Sequence, residues 1–318
     1  ATHKDSCMVH INVQKNAFYL LSASVITNAS LFLVNILLAN YLSKEAYGIF
    51  TLMLSLTAVA TLLSDLGVSQ GTVKFVSEYI SNKDERKTID HITNFFSVTI
   101  ITTAVFFLLF LLSLPFWMDV FKVFTLRDAG MLAFILIPYA IVRYLSSVTD
   151  GFQKMRYAFY FALVREPLKL LLLAIVVMFL VVDIRSTVLV FAASSCITLI
   201  LSFAIYRSFL KEMHLPVLFG LDRNVIWDKE KIKYFMYLYV PFFLFWVYPN
   251  IVNLIVGRYM DPGHVAAFAL CYMLNSAIWV FLLPMLDTLF PFISSIFLHR
   301  TTFKEEKRRL NIILLFII

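Results

Sequence analysis

Ionisable side chains inside apolar runs are costly, and where a chain keeps them they are candidates for chemistry. Arg143, Ser147 and Asp150 are spaced i, i+4, i+7 and fall on one helical face. Arg165 and Lys169 are i, i+4, with Glu166 and Pro167 between them. A guanidinium fork and an ammonium on one face suit a cluster of anionic oxygens. The competing reading is anchoring, in which these side chains reach toward the interface and Asp150 partners Arg143. Asn28 and Asn35 share a face with Ser24, Leu31 lying between them. Their amides can bond the hydroxyls of a ligand or hold neighbouring helices together. Asp65 and Asp287 stand near the ends of two apolar runs, where each can bind a coupling cation or proton, pair with an arginine, or cap the next turn. Pro241 and Pro249 are expected to bend or break their helix, with Asn250 and Asn253 close by. Freed carbonyls at such a break are tolerated where they line a cavity, as in a gate helix; a static kink is the alternative.

The elements that must hold these residues are membrane spans. Of 318 residues 61% are hydrophobic and 15% charged, with mean hydropathy +0.84. A soluble domain averages about 45–50% apolar and about 25% charged. Continuous apolar runs fall at about 17–40, 47–66, 93–116, 129–149, 162–182, 187–207 and 234–257, with an eighth from 264 into the 280s and a ninth beginning near Leu310. Each complete run is long enough to cross. A transmembrane β-barrel would show alternating segments of about ten residues, which these are not. Pro115 is expected to end the third span, and Pro167 to sit in the first turn of the fifth. Between spans two and three the chain reads as a small amphipathic helix on the cytoplasmic surface, with Val73, Val76 and Ile80 on one face and a Lys74–Glu78 pair at i, i+4. The hydroxyls of the second span are expected to return to its own backbone. Cys7, Cys196 and Cys271 have no metal or redox spacing and read as packing residues. The chain opens on Ala1 without a cleavable signal and stops inside the apolar run 312–318, so a longer protein is expected.

Charge orients the spans. With the N-terminus in the cytoplasm, 22 Lys and Arg lie on the inner side and five, Lys44, Lys122, Arg127, Arg185 and Arg258, on the outer. The positive-inside rule selects that orientation and accounts for the +7 net charge without nucleic acid. Asp65 then falls at the inner end of its span. The chain also repeats: a shift of 218 residues places Asn35 on Asn253, Tyr41 on Tyr259, Lys15 on Lys233 and Phe50 on Phe268. Six spans separate the copies, so both point the same way, a parallel repeat about an axis along the membrane normal.

Three stretches carry a family resemblance: YLSKEAYGIFTLMLSLTAVATLLSDLG followed by VKFVSEYISNKD from residue 41, TDGFQKMRY at 149–157, and LPMLDTLFPFISSIF from the eighth span into its exit. They resemble the Wzx-type oligosaccharide flippases of the multidrug/oligosaccharidyl-lipid/polysaccharide (MOP) exporter superfamily. The resemblance implies an all-α polytopic bundle, a MATE-like two-lobe transporter with a truncated C-lobe. Residues 1–207 would be the N-terminal six-helix lobe, 208–233 a cytoplasmic linker, and 234–318 the start of the C-terminal lobe. It implies outward flipping of a polyprenyl-diphosphate-linked oligosaccharide across the plasma membrane by alternating access. Arg143, Arg165, Lys169, Asn28, Asn35 and Asn253 are then candidates for cargo binding. Asp65, Asp150, Asp287, Pro241 and Pro249 are candidates for gating or ion coupling. No cofactor or metal is expected beyond a coupling cation or proton. Expected partners are the lipid-linked oligosaccharide, membrane lipids and other polysaccharide-assembly proteins. A cation-coupled drug exporter of the same superfamily is the alternative, against which stands a first span without an acid. A membrane enzyme would need converging carboxylates or histidines; His91, His214, His264 and His299 are scattered, so none is expected.

Overall fold

A computed structural model describes residues 13–123, 125–216 and 229–275, and among these the fold is helical without strands. In chain order the helices are α1 (Val13–Tyr41), α2 (Lys44–Asp65), α3 (Val68–Ser81), α4 (Glu85–Phe121), α5 (Leu126–Ala133), α6 (Leu136–Gly151), α7 (Met155–Phe179), α8 (Ile184–Glu212) and α9 (Lys229–Tyr259). Helix resumes at 262 and is described to 275. Residues 276–318, including Asp287 and the 282–297 stretch, lie outside the described residues.

Six helical stretches among the described residues are long and apolar enough to cross a membrane: 18–41, 44–81, 85–121, 126–151, 184–212 and 239–259. α7 carries Arg165, Glu166 and Lys169, yet it crosses too. It runs antiparallel to α8, with Tyr157 near its start donating to Glu212 at the end of α8 at 2.6 Å. Its 25 residues reach about 37 Å at 1.5 Å per residue. The chain is therefore a multi-pass membrane bundle. One end of it, the basic end, gathers the start of α1, the α3–α4 and α6–α7 turns and the end of α8.

Proline does not punctuate these helices as the sequence leads one to expect. Pro115 lies inside α4, which continues to Phe121. Pro167 lies in the middle of α7, not in its first turn, because α7 begins at Met155. α9 runs unbroken from Lys229 to Tyr259 through both Pro241 and Pro249. In lipid the rest of the helix has no aqueous alternative for its backbone groups, so a proline removes one bond without ending the element. α8 likewise extends past residue 207 to Glu212.

The span 47–66 is the most deeply embedded of the bundle. As expected, Thr51, Thr57 and Thr61 return their hydroxyls to carbonyls four residues earlier, at 2.8, 3.0 and 2.7 Å. α2 ends on Leu66 and Gly67, both in the left-handed region at φ 45° and 78°. α3 follows directly. One face of it is packed against α4, α6 and α9, with Val76 fully buried. Asp65 is thus the last residue of α2, as its place at the inner end of the span leads one to expect, and sits at the joint with α3. The Lys74–Glu78 pair forms at 3.9 Å, with Lys74 also 3.6 Å from the centre of the Tyr234 ring.

The 218-residue repeat is visible in the backbone. α1 ends at Tyr41 and α9 at Tyr259; two non-helical residues follow each, and helix resumes at 44 and 262. The paired asparagines both bond to α2. Asn35 accepts from the Tyr47 hydroxyl at 2.9 Å, and Asn253 donates to Ser55 Oγ at 3.0 Å. α2 and α9 form a seam, held by Gly257 against Leu52 and by Tyr239 donating to the Leu62 carbonyl at 2.6 Å; it is extended by Gly48 of α2 against Pro262 beyond α9 and by Gly71 of α3 against Phe235. α1 packs chiefly along α7, on the other side of the bundle.

Candidate functional site

Between that seam and α1 lies a cavity of about 740 Å³. Its walls come from α1, α3, α6, α7 and α9, with Tyr272 from the segment that follows. α6 supplies Arg143, Ser146, Ser147 and Asp150, so the predicted i, i+4, i+7 face does point into one space. α7 supplies Arg165, and α1 supplies Ser24 and Asn28. α9 contributes Phe245, Trp246, Pro249 and Asn250, a wall that is largely aromatic. One half of the cavity therefore offers charge and hydroxyls and the other offers ring faces.

Arg143 does not turn to Asp150. Its Nε lies 3.8 Å from Asp65 Oδ1, and its guanidinium packs 4.7 Å from the centre of the Phe242 ring of α9. Gln70 completes the arrangement. In the orientation that satisfies both neighbours, its amide nitrogen donates to Asp65 Oδ2 at 3.0 Å and its oxygen accepts from Arg143 Nη2 at 2.8 Å. Ser69 also donates to the Asp65 carboxylate. Asp65 is thus the counter-ion of Arg143 at the α2–α3 joint, the pairing role among those the sequence left open. The pair is mostly enclosed, with side-chain exposures of 18% and 10%. Removing one partner strands the other charge, which typically costs about 3–5 kcal/mol, whereas removing both is much milder. Asp65→Leu is therefore expected to lower thermal stability of the purified protein strongly, and Asp65→Leu/Arg143→Leu to regain most of the loss.

A second charged group sits in α7. Glu166, which sequence reasoning passed over, is buried and lies between Arg165 and Lys169. Lys169 donates to Glu166 Oε2 at 2.8 Å, while Arg165 Nε stands 3.3 Å from Oε1 without an aligned hydrogen bond. Lys169 packs 4.9 Å from the centre of the Phe191 ring and is not on the cavity wall. Arg165 lies ten residues into α7, about 15 Å along it, and so deeper than a mouth position. The signal for Glu166 was present in the sequence: it is an acid inside an apolar run, three residues before a lysine.

The remaining candidates separate. Asn28 lines the cavity but also donates to the Ser24 carbonyl at 2.8 Å. Asn35 and Asn253 are engaged with α2, away from the wall. Pro249 is on the wall and Pro241 is not. Asp150 Oδ1 is buried there without a hydrogen-bond partner. Among the described residues no three His, Cys, Asp or Glu converge, so no metal ligand set is in place there.

The molecule is thus a multi-pass helical bundle with a repeated Tyr-ended turn and a cavity walled by α1, α3, α6, α7 and α9. The chain is similar to a solved "outward-facing conformation of a multidrug resistance MATE family transporter of the MOP superfamily", with TM-score 0.66 and 15% identity over 90% of this chain. It is also similar to an inward-facing conformation of such a transporter, with TM-score 0.53 and 14% identity over 87% of this chain. It spans 65% of the length of the first and 60% of the second. No curated protein matches it. The chain belongs to the polysaccharide biosynthesis protein family, which matches residues 13–297.

Proposed function

We propose that the protein flips a polyprenyl-diphosphate-linked oligosaccharide from the cytoplasmic to the outer leaflet by alternating access. The observation that carries this reading is Arg165 on the wall of a large cavity inside a member of the polysaccharide biosynthesis family. Arg143 is already balanced by Asp65, and Glu166 by Lys169. Arg165 is left as a loosely held cation facing the cavity, where a diphosphate gains from a guanidinium fork. The hydroxyl and amide groups of Ser24, Asn28, Ser146 and Ser147 suit sugar hydroxyls, and Trp246 offers a ring face to a pyranose. The basic end faces the cytoplasm by the positive-inside rule, which puts the N-terminus inside and the cargo's source on the side where the cavity's charged wall begins.

The unpartnered carboxylate oxygen of Asp150 favours a coupling role for this residue, with a proton or small cation taken up as the cargo moves. It also supports a second reading, a cation-coupled exporter of small molecules. The two are told apart by reconstituting the full-length protein in liposomes with a fluorescent lipid-linked oligosaccharide. Protein-dependent movement of the label between leaflets is expected. Movement no faster than in protein-free liposomes, together with uptake of organic cations, would overturn the flippase reading in favour of the exporter.

A further inference from the structure

The charges of α7 form an arrangement that does more than place one arginine. Glu166 is 10% exposed at its side chain and Lys169 18%, whereas Arg165 is 38% exposed and reaches the cavity. The two contacts to Glu166 are unequal. The Lys169 ammonium makes a directed 2.8 Å bond to one carboxylate oxygen. The Arg165 guanidinium touches the other oxygen at 3.3 Å without the alignment of a hydrogen bond. A buried carboxylate that lost its sole cation would be heavily penalised. Here it would not: if Arg165 swings away, Lys169 remains.

We infer that Glu166 is a resident counter-anion for Arg165 that competes with the cargo's anionic group, and that Lys169 sets the strength of that competition. Without cargo, Arg165 leans on Glu166. When an anion enters, Arg165 transfers to it, and the Glu166 charge stays balanced by Lys169. When the cargo leaves, the carboxylate reclaims Arg165 and assists release. Lys169 is thus a positioning residue that acts on cargo without touching it, and the fork of Arg165 is the only member of the trio that meets the ligand. Pro167 sits inside the same turn and cannot donate to the Leu163 carbonyl, so the backbone there is held by one bond fewer. The inference rests on the diphosphate reading of the cavity.

A double-mutant cycle on the full-length protein in detergent tests it, with binding of polyprenyl diphosphate as the readout. Arg165→Ala is expected to weaken binding roughly tenfold or more. Glu166→Gln removes the competitor and is expected to tighten binding by roughly three- to tenfold while slowing dissociation. Lys169→Met leaves Glu166 with Arg165 alone, and is expected to weaken binding by a similar factor although residue 169 is off the wall. Glu166→Gln/Lys169→Met removes the competitor and its modulator together, and is expected to bind at least as tightly as wild type. That double variant strands neither Glu166 nor Lys169 and leaves Arg165 facing the cavity, so it remains informative where either single variant fails to fold. If Arg165→Ala leaves binding unchanged, the diphosphate reading of the site fails. If Arg165→Ala weakens binding but the double variant binds more weakly than wild type, the competition is overturned and the reading of the site stands.

Discussion

Replacing Gly48 with valine is expected to disrupt the bundle more than any other single substitution on the α2–α9 side. A Cβ at this position would stand 1.8 Å from the backbone oxygen of Pro262. Backbone cannot step aside as a side-chain end can, so the start of α2 and the chain at Pro262 must separate. Pro262 directly follows the turn at 260–261, the second copy of the one at 42–43. Overpacking a tight core usually costs about 1–3 kcal/mol, and this geometry lies at or beyond the upper end. The thermal midpoint in detergent should fall sharply for Gly48→Val. Gly263→Val is the matched control, because its nearest neighbour is the flexible Lys44 side chain at 3.3 Å. Equal stability of the Gly48 variant and wild type would mean that the start of α2 and the chain at Pro262 do not pack as described.

Arg165→Ala is expected to reduce flipping of a lipid-linked oligosaccharide by about ten- to a hundredfold, the range set by one or two charge-assisted hydrogen bonds of about 1.5–3 kcal/mol in all. The fall should appear in transport and not in folding. Removing Arg165 leaves Glu166 with its 2.8 Å bond to Lys169, so no buried charge is abandoned. Arg207→Ala supplies the comparison: it deletes an exposed positive charge from the end of α8 and should leave transport unchanged. A matching loss in both variants would locate the effect in net charge and not in the cavity.

Much of this architecture was legible in the sequence, because long uncharged runs can satisfy their backbones in lipid only as helices. The turn at Tyr41 and its copy at Tyr259 were readable for the same reason, since a break between two apolar runs has few residue types to choose from. The face Arg143–Ser147–Asp150 followed from helical spacing alone, and it lines the cavity. What spacing could not give was partnership across helices. Asp65 and Arg143 are 78 residues apart in sequence, and Gln70 bridges them through an amide that carries no charge signal. Lys169 looked equivalent to Arg165 by spacing, yet the intervening Glu166 draws it off the wall. Nor did spacing show that Asn253 reaches Ser55 across the α2–α9 seam. The prolines misled because a proline removes one backbone bond from a helix without ending it where the remaining bonds and the packing of α4, α7 and α9 hold the element together.

The central claim is that the cavity beside Arg165 receives the diphosphate of the cargo. Ala162 lines the same wall, one turn before Arg165 on α7. A cysteine at 162, in the full-length protein freed of its other cysteines, can be labelled with a small maleimide in the presence and absence of ligand. Polyprenyl diphosphate is predicted to slow labelling severalfold, whereas the uncharged polyprenol leaves the rate unchanged, and Arg165→Ala removes the protection. Equal labelling rates with polyprenyl diphosphate, with polyprenol and without ligand would contradict the claim.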